Sequence, residues 1–274
     1  MLAIISPAKT LDYRRPLPPL VATQARFAAE AEALAASAAK LPKKRLAELM
    51  HISDTLAALN VGRFRNFLEQ EERPALYAFA GDVYSGFEVH SLEEAAVDFA
   101  QDHLRILSGL YGLLRPLDAI RPYRLEMGTR WAPGRKKDLY AYWGDRVVRQ
   151  LVEDLHAAGG GPIINLASKE YWKVVEGLLP DRVQVIDIDF REEGPSGLRF
   201  NTFAQAGAGD DGALHLRASL VGSRSRQRLR QRWLCLRYHQ LRAGPLALPP
   251  RLSPPSFACA RTYVRGVAPA AIVG

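Results

Sequence analysis

The sequence predicts a mixed α/β fold of the α+β kind in one domain over residues 1–204, followed by a largely irregular tail over 205–274. Three observations predict it. Short apolar runs such as Leu2–Ile5 and Pro162–Leu166 read as buried strands, and stretches with helical spacing lie between them. The composition then changes abruptly after Ala204.

Leu2–Ile5 is the first strand, followed by a loop containing Pro and Lys to about Pro19. Thr23–Ala39 is rich in Ala and Glu, with Phe27 and Leu34 spaced for a helix. Lys43–Met50 continues helically after the break at Pro42, and Ser53-Asp54 caps a further helix through Asn60. Ala75–Phe79 reads as a strand. Ser91-Leu92-Glu93-Glu94 has the form of a capping box that opens a helix through His103. Arg105–Leu107 is a strand, and Gly109–Leu114 a turn with a short helical segment. Leu139–Ala158 is the clearest helix, ended by Gly159-Gly160-Gly161 before the strand Pro162–Leu166. Ser168 caps a helix to Gly177. Val183–Phe190 and Leu198–Phe203 alternate as a strand pair around Glu192–Ser196.

The chain has 274 residues, 48% of them hydrophobic and 24% charged, as in ordinary soluble globular proteins. No apolar run approaches the roughly 18 residues of a membrane span, and Met1–Pro7 lacks the form of a signal peptide. A cytoplasmic protein is the expectation. The net charge of +8 suggests an anionic partner. The charge is not evenly spread, however. Residues 205–274 hold eleven Arg, two Asp and no Lys or Glu, a net of +9, which leaves −1 for residues 1–204. Both cysteines, Cys235 and Cys259, also lie in the tail, so residues 1–204 can form neither a disulfide framework nor a Cys-ligated metal site. His51, His90, His103 and His156 share no ligand spacing, and no nucleophile elbow occurs. No metal, cofactor, catalytic residue or obligate protein partner is assigned.

Several segments carry groups suited to anions. Lys9, in Ser6-Pro7-Ala8-Lys9-Thr10, follows the first strand, where it is placed to meet a phosphate or to stand solvated. There is no glycine-rich cradle, so it is not a P-loop. Asp82 and Tyr84, in Gly81-Asp82-Val83-Tyr84, are either acid/base groups or turn-forming residues. Arg115, Tyr123, Arg124 and Glu126 lie among Pro116, Pro122 and Gly128. They either aim two guanidiniums at phosphates, with Glu126 orienting one, or pin an irregular loop by an internal salt bridge. Asn165 and Ser168 sit between a strand and a helix, where α/β proteins bind ligands and where plain capping also belongs. Lys43-Lys44-Arg45 through Phe67 is the best match to a helix-hairpin-helix, its second helix carrying Asn60, Arg63 and Arg65. The usual glycines of such a hairpin are missing, Gly62 standing alone, so two amphipathic helices with a solvated basic face remain the alternative.

Five segments together resemble the bacterial YaaA peroxide-stress family. They are Ser6-Pro7-Ala8-Lys9-Thr10-Leu11-Asp12, Leu49-Met50-His51-Ile52-Ser53, Gly81-Asp82-Val83-Tyr84-Ser85-Gly86, Leu107–Asp118 with Pro122–Gly128, and Ile164-Asn165-Leu166-Ala167-Ser168. The resemblance implies a single domain with a helix-hairpin-helix element and a basic cleft. It implies binding to DNA, duplex or repair and recombination structures, with little sequence preference. It also implies a role in surviving hydrogen peroxide and limiting damage by iron. The alternative is an enzyme acting on a phosphorylated or nucleotide substrate in the same cleft.

The resemblance stops after Asn201-Thr202-Phe203-Ala204, and the tail has the Arg-, Pro-, Leu- and Ala-rich composition of a GC-rich gene read in a wrong frame. Back-translating Gln205–Leu220 with free choice of wobble bases and skipping one base reads Lys-Arg-Ala-Arg-Gly-Met-Met-Ala-Arg-Phe-Ile-Cys-Glu-His-Arg. Family members are expected to continue with such a basic helix containing Ala-Arg-Gly. Arg232–Pro250, treated at the same offset, again reads like the family. The alternative is a genuine basic tail that binds nucleic acid.

Overall fold

The computed structural model describes residues 1–187, 191–194 and 197–200, apart from the side chains of Asp82 and of the last two segments. In chain order the elements are β1 (Leu2–Ile5), β2 (Thr10–Leu11), β3 (Thr23–Gln24), α1 (Ala28–Ala38), α2 (Lys43–Met50), α3 (Asp54–Arg65), β4 (Arg73–Pro74), α4 (Ala75–Ala78), β5 (Phe79–Ala80), α5 (Asp82–Phe87) and α6 (Glu94–His103). There follow β6 (Leu104–Ser108), β7 (Gly112–Leu114), β8 (Asp118–Ile120), α7 (Leu139–Trp143), α8 (Arg146–Ala157), β9 (Ile163–Asn165), α9 (Lys169–Trp172), β10 (Val185–Asp187), β11 (Arg191–Gly194) and β12 (Gly197–Phe200). This is the mixed α/β architecture expected. The tail, read as irregular and out of frame, lies outside the described residues.

The main sheet has the order β10-β9-β1-β6-β7, parallel except for β7. Its central strand is the continuous apolar run Leu2-Ala3-Ile4-Ile5. Leu2 and Ile4 have no exposed surface, as befits a parallel strand covered on both faces. The carboxyl ends of β1, β6, β9 and β10 form one edge of the sheet, at Ile5, Ser108, Asn165 and Asp187. A second sheet, β3-β8-β4, is centred on Asp118, which is fully buried and accepts the Thr23 hydroxyl at 2.6 Å.

Several elements differ from expectation, each for a local reason. The first helix starts at Ala28 because Thr23 and Gln24 pair with β8. Ala75–Ala78 is a helical turn, not a strand; it is buried on all sides, and an apolar run of that length carries no diagnostic period. Ser91 ends a 3-10 turn, so the next helix opens at Glu94 with Glu93 as N-cap. Gly112–Leu114 is a strand antiparallel to β6. The long helix is divided at Gly144, whose φ of 53° no ordinary helix accommodates. The helix after Ser168 is short and ends at Trp172. Val185–Asp187 pairs with β9, and the antiparallel partner of Gly197–Phe200 is Arg191–Gly194. Lys43–Met50 is as expected, and the Ser53 hydroxyl caps α3 by accepting the Leu56 N–H.

The turn from β6 into β7 is tightly constrained. A Cβ on Gly109 would lie 2.2 Å from the Leu125 carbonyl oxygen, while the Gly109 carbonyl accepts the indole N–H of the fully buried Trp143 at 3.0 Å. Gly109→Ala is therefore expected to destabilise the fold by about 2–3 kcal/mol, the range for forcing volume into a packed site. Denaturant unfolding measures this, and an unchanged midpoint would contradict the packing described.

Candidate functional site

The carboxyl edge of the main sheet collects most of the anion-binding candidates. Ser6 follows β1. Its hydroxyl accepts the Ser168 N–H at 2.9 Å and lies 3.3 Å from the Ser168 hydroxyl, so the loops after β1 and β9 are tied together. Ser168 does not cap α9 with its side chain. The Asn165 amide donates to Asp187 at the end of the neighbouring strand (2.8 Å), and its carbonyl accepts the Ala167 N–H at 3.0 Å. The Tyr84 hydroxyl donates to the Ser6 carbonyl at 3.0 Å. Tyr123 and Ser108 share a hydroxyl–hydroxyl hydrogen bond of 2.7 Å. Burial pushes both phenols well above the ordinary tyrosine range. They therefore act as neutral hydrogen-bonding groups rather than as bases. Asp82 opens α5 on the segment that also carries Tyr84.

The loop from Arg121 to Asp138 crosses this edge. Glu126 accepts a hydrogen bond from Arg124 at 3.0 Å, and the Lys9 ammonium lies 3.5 Å from the same oxygen. Glu126 thus orients Arg124, as the sequence suggested, and holds Lys9 as well. The Lys9 side chain is 62% exposed against 19% for Arg124. Glu170 accepts the Gly128 N–H at 2.8 Å and fastens the loop to α9.

Arg115 stands elsewhere. Because β7 runs antiparallel to β6, with Ile106 opposite Leu114, Arg115 emerges at the amino end of β6. Its guanidinium reaches Asp118 at 3.0 Å, and its N–H donates to the same carboxylate at 2.8 Å. This is the internal salt bridge that pins a loop. A cavity of about 430 Å³ lined by Asp12, Arg15, Tyr77, Phe79 and His90 shares only Tyr84 with the carboxyl-edge group. The candidates do not converge on one compact pocket.

The other candidate is the α2–α3 hairpin. His51, left-handed at φ 51°, ends α2, and Ser53 starts α3. Lys43, Lys44 and Arg45 are exposed, but Lys43 is 2.6 Å from Asp54 and Arg45 is 3.6 Å from Glu48. Asn60 is buried and donates to the Leu56 carbonyl at 2.8 Å, so it turns away from the exposed cations. Arg63 is half-buried and donates to Asn60 at 3.4 Å, and burial pushes its guanidinium pKa down. Arg65 is exposed. Sequence reasoning passed over Ser6 and Glu170, and over the basic run Arg130, Arg135, Lys136, Lys137. That run was legible as four cations in eight positions around Trp131. Among the described residues no helix is long and apolar enough to cross a membrane.

Comparison with known proteins adds to this geometry. The model of the family described as peroxide stress protein YaaA matches residues 1–206. A UPF0246 protein of Rhizorhabdus wittichii is 63% identical over 203 residues, covering 74% of this chain and 80% of that protein. UPF0246 proteins of Polynucleobacter necessarius subsp. necessarius and Idiomarina loihiensis are each 51% identical over 180 residues, covering 64% of this chain and 70% of theirs.

Proposed function

The chain belongs to the peroxide stress protein YaaA family, and from that premise we propose that it binds DNA in the cytoplasm with little sequence preference, protecting against hydrogen peroxide and iron-dependent damage. The observation that carries the DNA reading is the α2–α3 hairpin. Two helices meet at a three-residue turn, and Lys43, Lys44, Arg45 and Arg65 stand exposed beside it. Helix starts and clustered cations bind phosphates without reading bases, so affinity carries a steep salt dependence and little sequence information. Neutralising Lys43, Lys44 and Arg45 together is expected to weaken binding to unrelated duplexes alike, measured by fluorescence anisotropy. The loss is moderated because Lys43 and Arg45 already face carboxylates. A loss confined to one sequence, or no loss at all, would count against the hairpin.

A second reading has one observation in its favour. Lys9, Arg124, Glu126, Ser6 and Ser168 meet at the carboxyl edge of a parallel sheet, the usual ligand position in α/β folds. On this reading the protein is an enzyme acting on a phosphorylated or nucleotide substrate. Saturable stabilisation by a mononucleotide, abolished by Arg124→Ala, would support it over the DNA reading.

A further inference from the structure

We propose that the loop from Arg130 to Lys137 is a phosphate-contacting surface for duplex DNA, separate from the α2–α3 hairpin; the inference rests on the DNA-binding reading above and names where its main contacts lie. The loop holds four cations in eight positions: Arg130, Arg135, Lys136 and Lys137, all exposed. Among the described residues none of the four has an ion-pair partner. The only carboxylate adjoining the run is Asp138, which accepts the Ala141 N–H at 2.8 Å to start α7. The hairpin differs in this respect. There, a phosphate must compete with Asp54 for Lys43 and with Glu48 for Arg45. At the loop it displaces only water and counterions, the exchange that drives protein–DNA association.

The loop is also held in place. Thr129 and Ala132 are buried, the Gly128 N–H is bound by Glu170, and the fully buried Leu139 fixes the far end. Trp131 packs partly against the core. An anchored loop loses little conformational freedom when it binds. The surface continues onto neighbouring structure. The Tyr140 hydroxyl donates to the Glu170 carbonyl at 2.8 Å, and the Lys173 ammonium lies 5.0 Å from the centre of the Tyr140 ring. This brings exposed Lys169 and Lys173 alongside the loop. The side chains available on the loop suit a phosphate backbone better than a lipid surface. Its exposed residues are cations and glycine, while Ala132 is buried and Trp131 is turned to the core, so no apolar group projects for insertion.

The test reverses the three consecutive charges in the full chain, as R135E/K136E/K137E, with R135Q/K136Q/K137Q as the milder variant. Binding to a short duplex of arbitrary sequence is followed by anisotropy across about 50–200 mM salt. The reversal is expected to weaken binding at least tenfold at about 100 mM salt. It is expected to flatten the slope of log K against log salt by about 2–3, close to 0.9 per lost phosphate contact. The glutamine variant should move the same way by less. The thermal midpoint of both variants should match the parent, because the side chains are exposed. The eleven tail arginines are common to all three proteins and cancel in the comparison. If the reversed variant binds like the parent while K43A/K44A/R45A is weakened, DNA binding stands and the loop proposal falls. Should the parent itself show no salt-dependent binding, the DNA reading fails and the loop proposal with it. Binding of the parent to phosphatidylserine vesicles that is lost on reversal, with DNA affinity unchanged, would assign the loop to lipid and overturn it too.

Discussion

Removing a single base at codon 205 is expected to change the protein more than any point substitution. The product should open its C-terminal segment with Lys-Arg-Ala-Arg-Gly-Met-Met-Ala-Arg-Phe-Ile-Cys-Glu-His-Arg in place of Gln205 onward. Similarity should then extend into the fifth of the Rhizorhabdus relative that the present chain does not match. Two facts motivate this. The family match ends at residue 206, and beyond it the chain has eleven Arg but no Lys or Glu. The physical consequence is a trade of a dispersed charge of +9 for five cations on one basic segment, which should raise duplex affinity and steepen its salt dependence. Solubility should rise as well. Leu56, Leu59, Leu68 and Leu178 are 39–64% exposed on the body, and apolar surface of that kind favours association. Sequencing the gene across codons 200–210, then comparing both products by light scattering and DNA binding, tests the proposal. A gene with no extra base, and two products that behave alike, would reject it.

Asp154→Asn is expected to be the most destabilising single change. Asp154 is 7% exposed and bridges Arg26 and Arg105, with Gln150 donating to it at 3.1 Å. Arg105 is itself 5% exposed and gives its remaining donors to the Gln101 and Leu104 carbonyls at 2.9 and 2.7 Å. The amide keeps the shape but leaves two guanidiniums without a counter-charge. Breaking a buried pair in this way costs about 3–5 kcal/mol. At roughly 2–4 °C per kcal/mol for a body of this size, the midpoint should fall by about 6–20 °C. Burial alone would push the Asp154 carboxyl up, but hydrogen bonds from Arg105 and Arg26 outweigh it and hold the carboxyl below its ordinary value of 3.8. A carboxylate depressed in the folded state stabilises above its unfolded pKa, and that stability is lost as pH falls through the folded value. The gap between parent and variant should therefore be full near neutrality and shrink as pH drops below 3.8. A variant within about 2 °C of the parent at neutral pH would contradict the role given to this cluster.

The sequence foretold what local signals control. Leu2–Ile5, Lys43–Met50, the Ser53 cap and the triple-glycine end of α8 are set by apolar runs, capping chemistry and backbone freedom within a few residues. It could not foretell what depends on distant pairing. Gly112–Leu114 is a strand because β6 lies beside it, and Thr23 leaves its helix because β8 takes its backbone. The same limit applied to the candidate site. Lys9, Glu126 and Arg124 meet because their loops cross one sheet edge, whereas the antiparallel β7 sends Arg115 to the other. Asn60 sits among exposed cations in sequence yet turns inward, since the same turn of α3 presents Leu59 outward. The run Arg130–Lys137 was visible throughout; only the absence of partners in the fold distinguished it from an ordinary solvated loop.

The central claim is that this chain binds DNA through its phosphates. Its most direct test is the affinity of the full chain for three unrelated duplexes of equal length, titrated with salt from about 50 to 200 mM. The account predicts dissociation constants that agree within about threefold and fall on parallel, steep lines of log K against log salt. No binding, a flat salt response, or one duplex bound far more tightly than the others would contradict it.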